Sequence, residues 1–166
     1  MPSSPSPSLR WQCLRFNALS TTQLYALLQL RSDVFVVEQQ CAYPELDGKD
    51  TLPGVLHLLG STDTDVLAAY LRVLPPGVSY PEPSIGRVVI AASQRGRGVA
   101  HALLREGLRV VQQHWPASAV QLGAQAHLQA LYATHGFTPS STPYLEDGIP
   151  HIDMLRRADA ATQEPA

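Results

Sequence analysis

Apolar and polar positions alternate from Leu9 to Asn17, then change period: Leu24, Leu27, Leu28, Val34 and Phe35, with Arg31 among them, recur three or four residues apart. The first pattern predicts a strand and the second a helix. Ser20 and Gln23 form a Ser-x-x-Gln capping box that would start this helix, and the periodicity runs out near Glu38 to Gln40. Residues 41–50 contain Pro44 and the pair Asp47-Gly48, the chemistry of an irregular loop. Strands are predicted over Gly54 to Leu59 and Val66 to Leu74, with residues 60–65 as a hairpin connection. After a proline-rich loop, the β-branched run from Ile85 to Ala91 reads as a buried strand. A helix from about Gly98 to His114 follows, with Val99, Leu103, Leu104, Leu108 and Val111 inward, and Trp115-Pro116 ends it. Ala119 to Ala124 predicts a short strand, and His127 to His135 a short helix stopped by Gly136. Strands from Phe137 onward and from Ile149 to Arg156 complete the pattern.

The order is strand, helix, three strands, helix, strand, helix, two strands. Hairpins make part of such a sheet antiparallel, and strand-helix-strand units make another part parallel. The fold class is therefore α/β of the α+β type, a mixed and partly antiparallel central sheet flanked by helices. A single domain over residues 9–157 is expected, between a disordered Pro/Ser tail at 1–8 and a frayed tail at 158–166.

Composition narrows the function classes. A formal net charge of −2 leaves no basic footprint for nucleic acid. No apolar run approaches the ~20 residues that span a bilayer, and residues 1–8 lack the character of an export signal. A cytoplasmic protein with two reduced thiols, Cys13 and Cys41, is the expectation. The histidines show no metal-ligand spacing, so no metal is expected. A homodimer is left open.

Chemistry concentrates where the strand ending at Ala91 runs through Arg95-Gly96-Arg97-Gly98-Val99-Ala100 into a helix. Unpaired amides at a helix start, with the positive end of its dipole, suit an anion. Glycines let phosphate approach the backbone, and Arg95 and Arg97 can add charge. A glycine-containing helix start that binds nothing is the plainer alternative. A triphosphate loop would need Gly-Lys-Ser/Thr, which is absent. A dinucleotide loop would want glycine where His101 stands and an acidic residue about twenty positions on, where Val120 to Ala124 has none. No Gly-x-Ser-x-Gly elbow supports a serine hydrolase.

Arg95-x-x-Gly98-x-Ala100 after a β-branched strand resembles the acetyl-coenzyme A motif of the GNAT N-acetyltransferase superfamily. The helix Tyr132 before Gly136-Phe137 resembles its second motif. The segments Leu24 to Arg31, Val34 to Gln39, Leu122 to Leu128 and Glu146 to His151 are similar to the ElaA branch of that superfamily. The resemblance implies a GNAT-like fold and acetyl-coenzyme A as cosubstrate. It implies that main-chain atoms of Val88, Val89 and Ile90, on a strand opened by a bulge or splay, would pair with the pantetheine arm like an added strand. Amides of Gly96, Arg97, Gly98, Val99, Ala100 and His101 would hold the pyrophosphate, beside Arg95, and Tyr132 would sit beside the sulfur. Gln125 stands where many members have Asn, which puts one cofactor contact in doubt.

Attack on a thioester needs an amine that has lost its proton, an amide donor for the oxyanion and help for the leaving thiolate. The resemblance gives Tyr132 the last role, and a core tyrosine is the alternative. Glu38, at the end of the first helix, and His57, on a central strand, are candidate bases, against a solvated carboxylate and a satisfied core histidine. A water relay is also open. Glu45, Asp47 and Asp50 form an acidic loop that either attracts a cationic acceptor or is merely solvated. An N-acetyltransferase acting on a small-molecule or peptide amine is the expectation. The rivals are an acyl-coenzyme A-binding regulatory module without turnover and a nicotinamide-dependent oxidoreductase.

Overall fold

The structure is a computed structural model that describes residues 8–158. The two expected tails therefore lie, apart from Ser8 and Ala158, outside the described residues. Strand β1 (Arg10–Arg15) leads to helix α1 (Thr21–Arg31) and a π-helical extension (Ser32–Glu38). Strands β2 (Leu56–Ser61), β3 (Leu67–Leu74) and β4 (Ser84–Ile90) form a meander. Helix α2 (Val99–His114), strand β5 (Val120–Gln125) and the short helix α3 (Gln129–Ala133) come next. Strands β6 (Thr138–Pro139), β7 (Tyr144–Glu146) and β8 (Ile149–Arg156) end the fold. The sheet order is β1-β2-β3-β4-β5-β8-β6, with β7 also paired to β8. All pairs are antiparallel except β4 with β5. The expected fold class and element order hold, and the strand expected from Phe137 is split into β6 and β7 by residues 140–143, where Ser140 Oγ donates to Gln121 on β5 and Ser141 Oγ to the carbonyl of Thr142.

Alternation along each strand sends side chains to two different layers. On one face Leu58, Leu71, Val73, Ile85, Leu122 and Met154 meet Val99, Leu103, Leu104, Val110 and Val111 of α2, with Tyr132 and Phe137 closing the layer. Helix α2 lies close to the sheet at Gly107, where a Cβ would stand 2.7 Å from Leu71 Cδ2. The periodicity named most of this face; Leu108 is only partly buried, and Gly107 and Val110 complete the contact. On the other face Leu27 of α1 packs on Leu59, Tyr70 and Val89.

The capping box forms as expected, with Gln23 N donating to Ser20 Oγ at 3.0 Å and Ser20 N to Gln23 Oε1 at 2.9 Å. The helix does not remain α-helical to Glu38. From Ser32 its hydrogen bonds lengthen by one residue, as in Gln39 N to Val34 O (3.1 Å) and Cys41 N to Val36 O (3.1 Å). The change begins one residue after Arg31, whose side chain is wholly buried. Among the described residues no helix is long and apolar enough to cross a membrane.

Candidate active site

Strand β4 is bent by an extra residue. Tyr70 pairs with Val89 and Arg72 with Gly86, so between these pairs one residue of β3, Leu71, faces two of β4, Arg87 and Val88. Arg87 takes up the surplus at φ +52°, a left-handed conformation that costs a non-glycine residue about 1–3 kcal/mol and persists only where the surroundings hold it. They do so here. Arg87 Nη2 donates to the Glu45 carbonyl (2.9 Å) and to Asp47 (3.3 Å), its Nε lies 2.8 Å from the Glu45 carboxylate as an ion pair, and its guanidinium lies 5.7 Å from the centre of the Tyr43 ring.

Beyond the bulge the two central strands part. Among the described residues β4 and β5 keep one paired position, Ser84 with Gln121, supported by Gln121 N donating to the Pro83 carbonyl at 3.0 Å. Val88, Val89 and Ile90 thus run along a β4 edge that β5 has left. This open edge ends in a 3-10 turn (Ala92–Gln94) and the glycine loop, where Gly96 and Gly98 have φ of +77° and +75°. A side chain at either position would be strained. Helix α2 starts without a side-chain cap. Among the described residues, no amide from Gly96 to His101 donates a hydrogen bond within the protein; the first amide that does is Ala102, to Gly98 O at 3.3 Å. Six successive N–H groups therefore crowd the positive end of a helix.

Tyr132, on α3, lies in the core layer under α2. Its side chain is 5% exposed, packs edge-on against Phe137, and its hydroxyl has no hydrogen-bond partner among the described residues. Burial pushes its pKa up to about 12, so the phenol keeps its proton at neutral pH.

Known proteins match this chain in both sequence and fold. The acetyltransferase (GNAT) domain model covers residues 45–157. The ElaA protein of Escherichia coli is 47% identical over 148 residues, 89% of this chain and 96% of that one. The chain belongs to the GNAT acyltransferase family. Its structure superposes on that of E. coli ElaA with a TM-score of 0.85 at 45% identity, covering 90% of this chain and 100% of the other. An acyl-CoA N-acyltransferase from Pseudomonas aeruginosa gives the same TM-score at 46% identity, covering 90% and 99%. The similarity to the ElaA branch drawn from four short segments thus extends over most of the chain.

The remaining GNAT candidates fall into distinct settings. Glu38 is half-exposed at the end of the π-helical extension, and its carboxylate takes both terminal nitrogens of Arg95, Nη2 to Oε2 at 2.7 Å. The Arg95 hydrogen bonds hold the Glu38 carboxyl below its usual range. Gln125 exchanges two amide hydrogen bonds with Gln39, at 3.2 and 3.3 Å. His101 Nδ1 lies 2.9 Å from His135 Nε2. His57 is 0% exposed, with Nδ1 bonded to the Tyr70 hydroxyl (2.7 Å) and Nε2 to the Asp50 carbonyl (3.0 Å), and burial lowers its pKa. Both of its ring nitrogens are committed to the protein.

The acidic loop is neither a cation trap nor a solvated cluster. Glu45 and Asp50 are buried against Arg31, at 2.8 and 2.7 Å, and Arg72 bridges Asp47 (2.8 Å) and Asp50 (3.1 Å). With Arg87, three arginines balance three carboxylates. Sequence reasoning missed this network, and with it Arg87 and Gln39. The available signal was an arginine inside a β-branched strand and two more at apolar positions of α1 and β3, where a charge is seldom buried without a partner.

Proposed function

We propose that this GNAT protein is an acetyl-coenzyme A-dependent N-acetyltransferase that moves an acetyl group to a primary amine by direct attack on the thioester. The observation that carries the reading is the open β4 edge continuing into the free amides of residues 96–101. The pantetheine amides would pair with main-chain groups of Val88 to Ile90 as an added strand would. The pyrophosphate would take the amides from Gly96 to His101, with Arg95 and Arg97 adding charge. The amine nitrogen forms its bond to the acetyl carbon, a β4 amide supports the developing oxyanion, and the C–S bond breaks. Tyr132, protonated at neutral pH, gives its hydrogen bond or proton to the departing sulfur. The proton lost by the amine goes to Glu38, directly or through water. We place His57 outside the chemistry, because its two nitrogens hold Tyr70 and the 41–55 loop together. Gln125, tied to Gln39, would touch the acceptor side as readily as the cofactor.

The test is calorimetric titration with acetyl-coenzyme A, followed by a thiol-release screen over polyamines, amino acids, peptides and aminoglycosides. Wild type should bind, and at least one amine should release thiol. Gly98→Asp places a charge against the pyrophosphate and should lose binding; the position is exposed, so the cost of a side chain in its left-handed backbone, about 1–2 kcal/mol, should leave the fold largely intact. An unchanged dissociation constant in that variant would remove the loop from the site. Binding with no turnover on any amine would favour the regulatory module instead.

A further inference from the structure

Two neighbouring residues at the end of the π-helical extension span the mouth of the splay. Glu38 holds Arg95, and Arg95 Nη2 also reaches the carbonyl of Ile90, the last residue of β4, at 3.4 Å. Gln39 holds Gln125, the last residue of β5. The segment therefore fastens to both arms of the V at the level where they are furthest from their single paired position. Arg95 is also the residue immediately before the six free amides, so the guanidinium that Glu38 holds belongs to the first residue of the glycine loop.

Resting on the acyl-coenzyme A reading above, we propose that Arg95 is shared: Glu38 holds it in the empty protein, and the cofactor's pyrophosphate takes it over, releasing the Glu38 carboxylate toward the acceptor. The exchange is favourable on elementary grounds. Both partners are nearly half exposed, 41% for Arg95 and 46% for Glu38, and an ion pair of that kind contributes little net stability. A diphosphate already seated on a helix start offers more charge and a bidentate geometry suited to guanidinium. The exchange has a chemical consequence. Arg95 depresses the proton affinity of Glu38, so its departure makes the carboxylate a better proton acceptor, and only in the loaded enzyme. Glu38 thus opposes cofactor binding and serves turnover, two roles with opposite signs in one substitution.

Calorimetry with acetyl-coenzyme A on the full chain tests this without knowledge of the acceptor. Glu38→Gln should bind about two- to fivefold more tightly than wild type, the range expected for freeing an exposed partner. Arg95→Gln should bind more weakly. In the Arg95→Gln background, adding Glu38→Gln should leave the affinity unchanged, because the gain passes through Arg95. Equal tightening in both backgrounds would mean simple repulsion between Glu38 and phosphate, and would overturn the exchange. So would unchanged or weaker binding by Glu38→Gln. Failure of the wild type to bind acetyl-coenzyme A would instead strike the reading on which the exchange rests. Both side chains are at the surface, so melting curves of the variants should overlay wild type.

Discussion

The two faces of the sheet are held by different physics. Under α2 the layer is apolar, and the hydroxyl of Tyr132 stands out there because it has no hydrogen-bond partner among the described residues. Under α1 the layer contains Arg31, Glu45, Asp50, His57 and Arg72, all buried, joined by ion pairs and by the bond from His57 to Tyr70. Apolar burial scales with area and is indifferent to direction, so it fixes how closely α2 approaches the sheet. Ion pairs fix particular atoms. The face under α1 uses them to tie a long loop, helix α1 and the β4 bulge to one another, and those parts surround the proposed acceptor side. The lesson is a division of labour: the dry face supplies a rigid platform, and the charged face sets the positions of loops that have little apolar surface of their own.

Paired substitutions would break this comparison most visibly. Arg31→Met removes one partner of a buried pair and leaves Glu45 and Asp50 underneutralised, which should cost about 3–5 kcal/mol. Leu104→Ala on the dry face should cost about 2–5 kcal/mol by lost transfer energy and a cavity. The two are separated by their side effects in urea unfolding and acetyl-coenzyme A titration. The Arg31 variant should also loosen the 41–55 loop, seen as faster amide exchange there. The Leu104 variant should bind cofactor as wild type does once folded. Equal effects on both readouts would erase the distinction between the faces.

Tyr132→Phe sharpens the comparison from the dry side. The ring and its contact with Phe137 survive, so the stability change should be small. The hydroxyl has no structural partner, and its loss should lower kcat and kcat/KM together by at least about tenfold, with KM nearly unchanged. Wild-type turnover by this variant would make Tyr132 a packing residue and leave the thiolate to depart unassisted or through water.

The smallest expected effect is a pH dependence confined to the charged face. Burial lowers the pKa of His57, so the folded protein resists protonation that the unfolded chain accepts. Stability should be full above the unfolded value near ~6.5 and decline as pH falls below it. Asp50 follows at lower pH. Burial opposes its ionisation, but the bonds from Arg31 and Arg72 outweigh burial and hold its pKa down, so its contribution is lost below about pH 4. His57→Gln should remove the first decline and leave the second. An unaltered profile between pH 6.5 and 5 would assign that limb to another group.

Some of this was readable without coordinates because it is local. The capping box at Ser20 needs residues three apart, the α2 face needs a period of 3.6, and the glycine loop before α2 is a run of adjacent residues. Element order and the candidate cofactor loop followed from such short-range chemistry. The partners of Arg31, Arg72 and Arg87 did not, because Glu45, Asp47 and Asp50 meet them only after α1, β3 and β4 have packed. The same holds for the residues that close the splay, Glu38 with Arg95 and Gln39 with Gln125, which lie 57 and 86 positions apart. His57 shows the difference most sharply. Its place on a central strand was legible, but whether its nitrogens faced a substrate or the protein depended on where Tyr70 and the Asp50 carbonyl came to rest. Periodicity decides which side chains go inward; tertiary packing decides which buried charges find each other, since Coulomb and hydrogen-bond energies depend on distances that no spacing along the chain encodes.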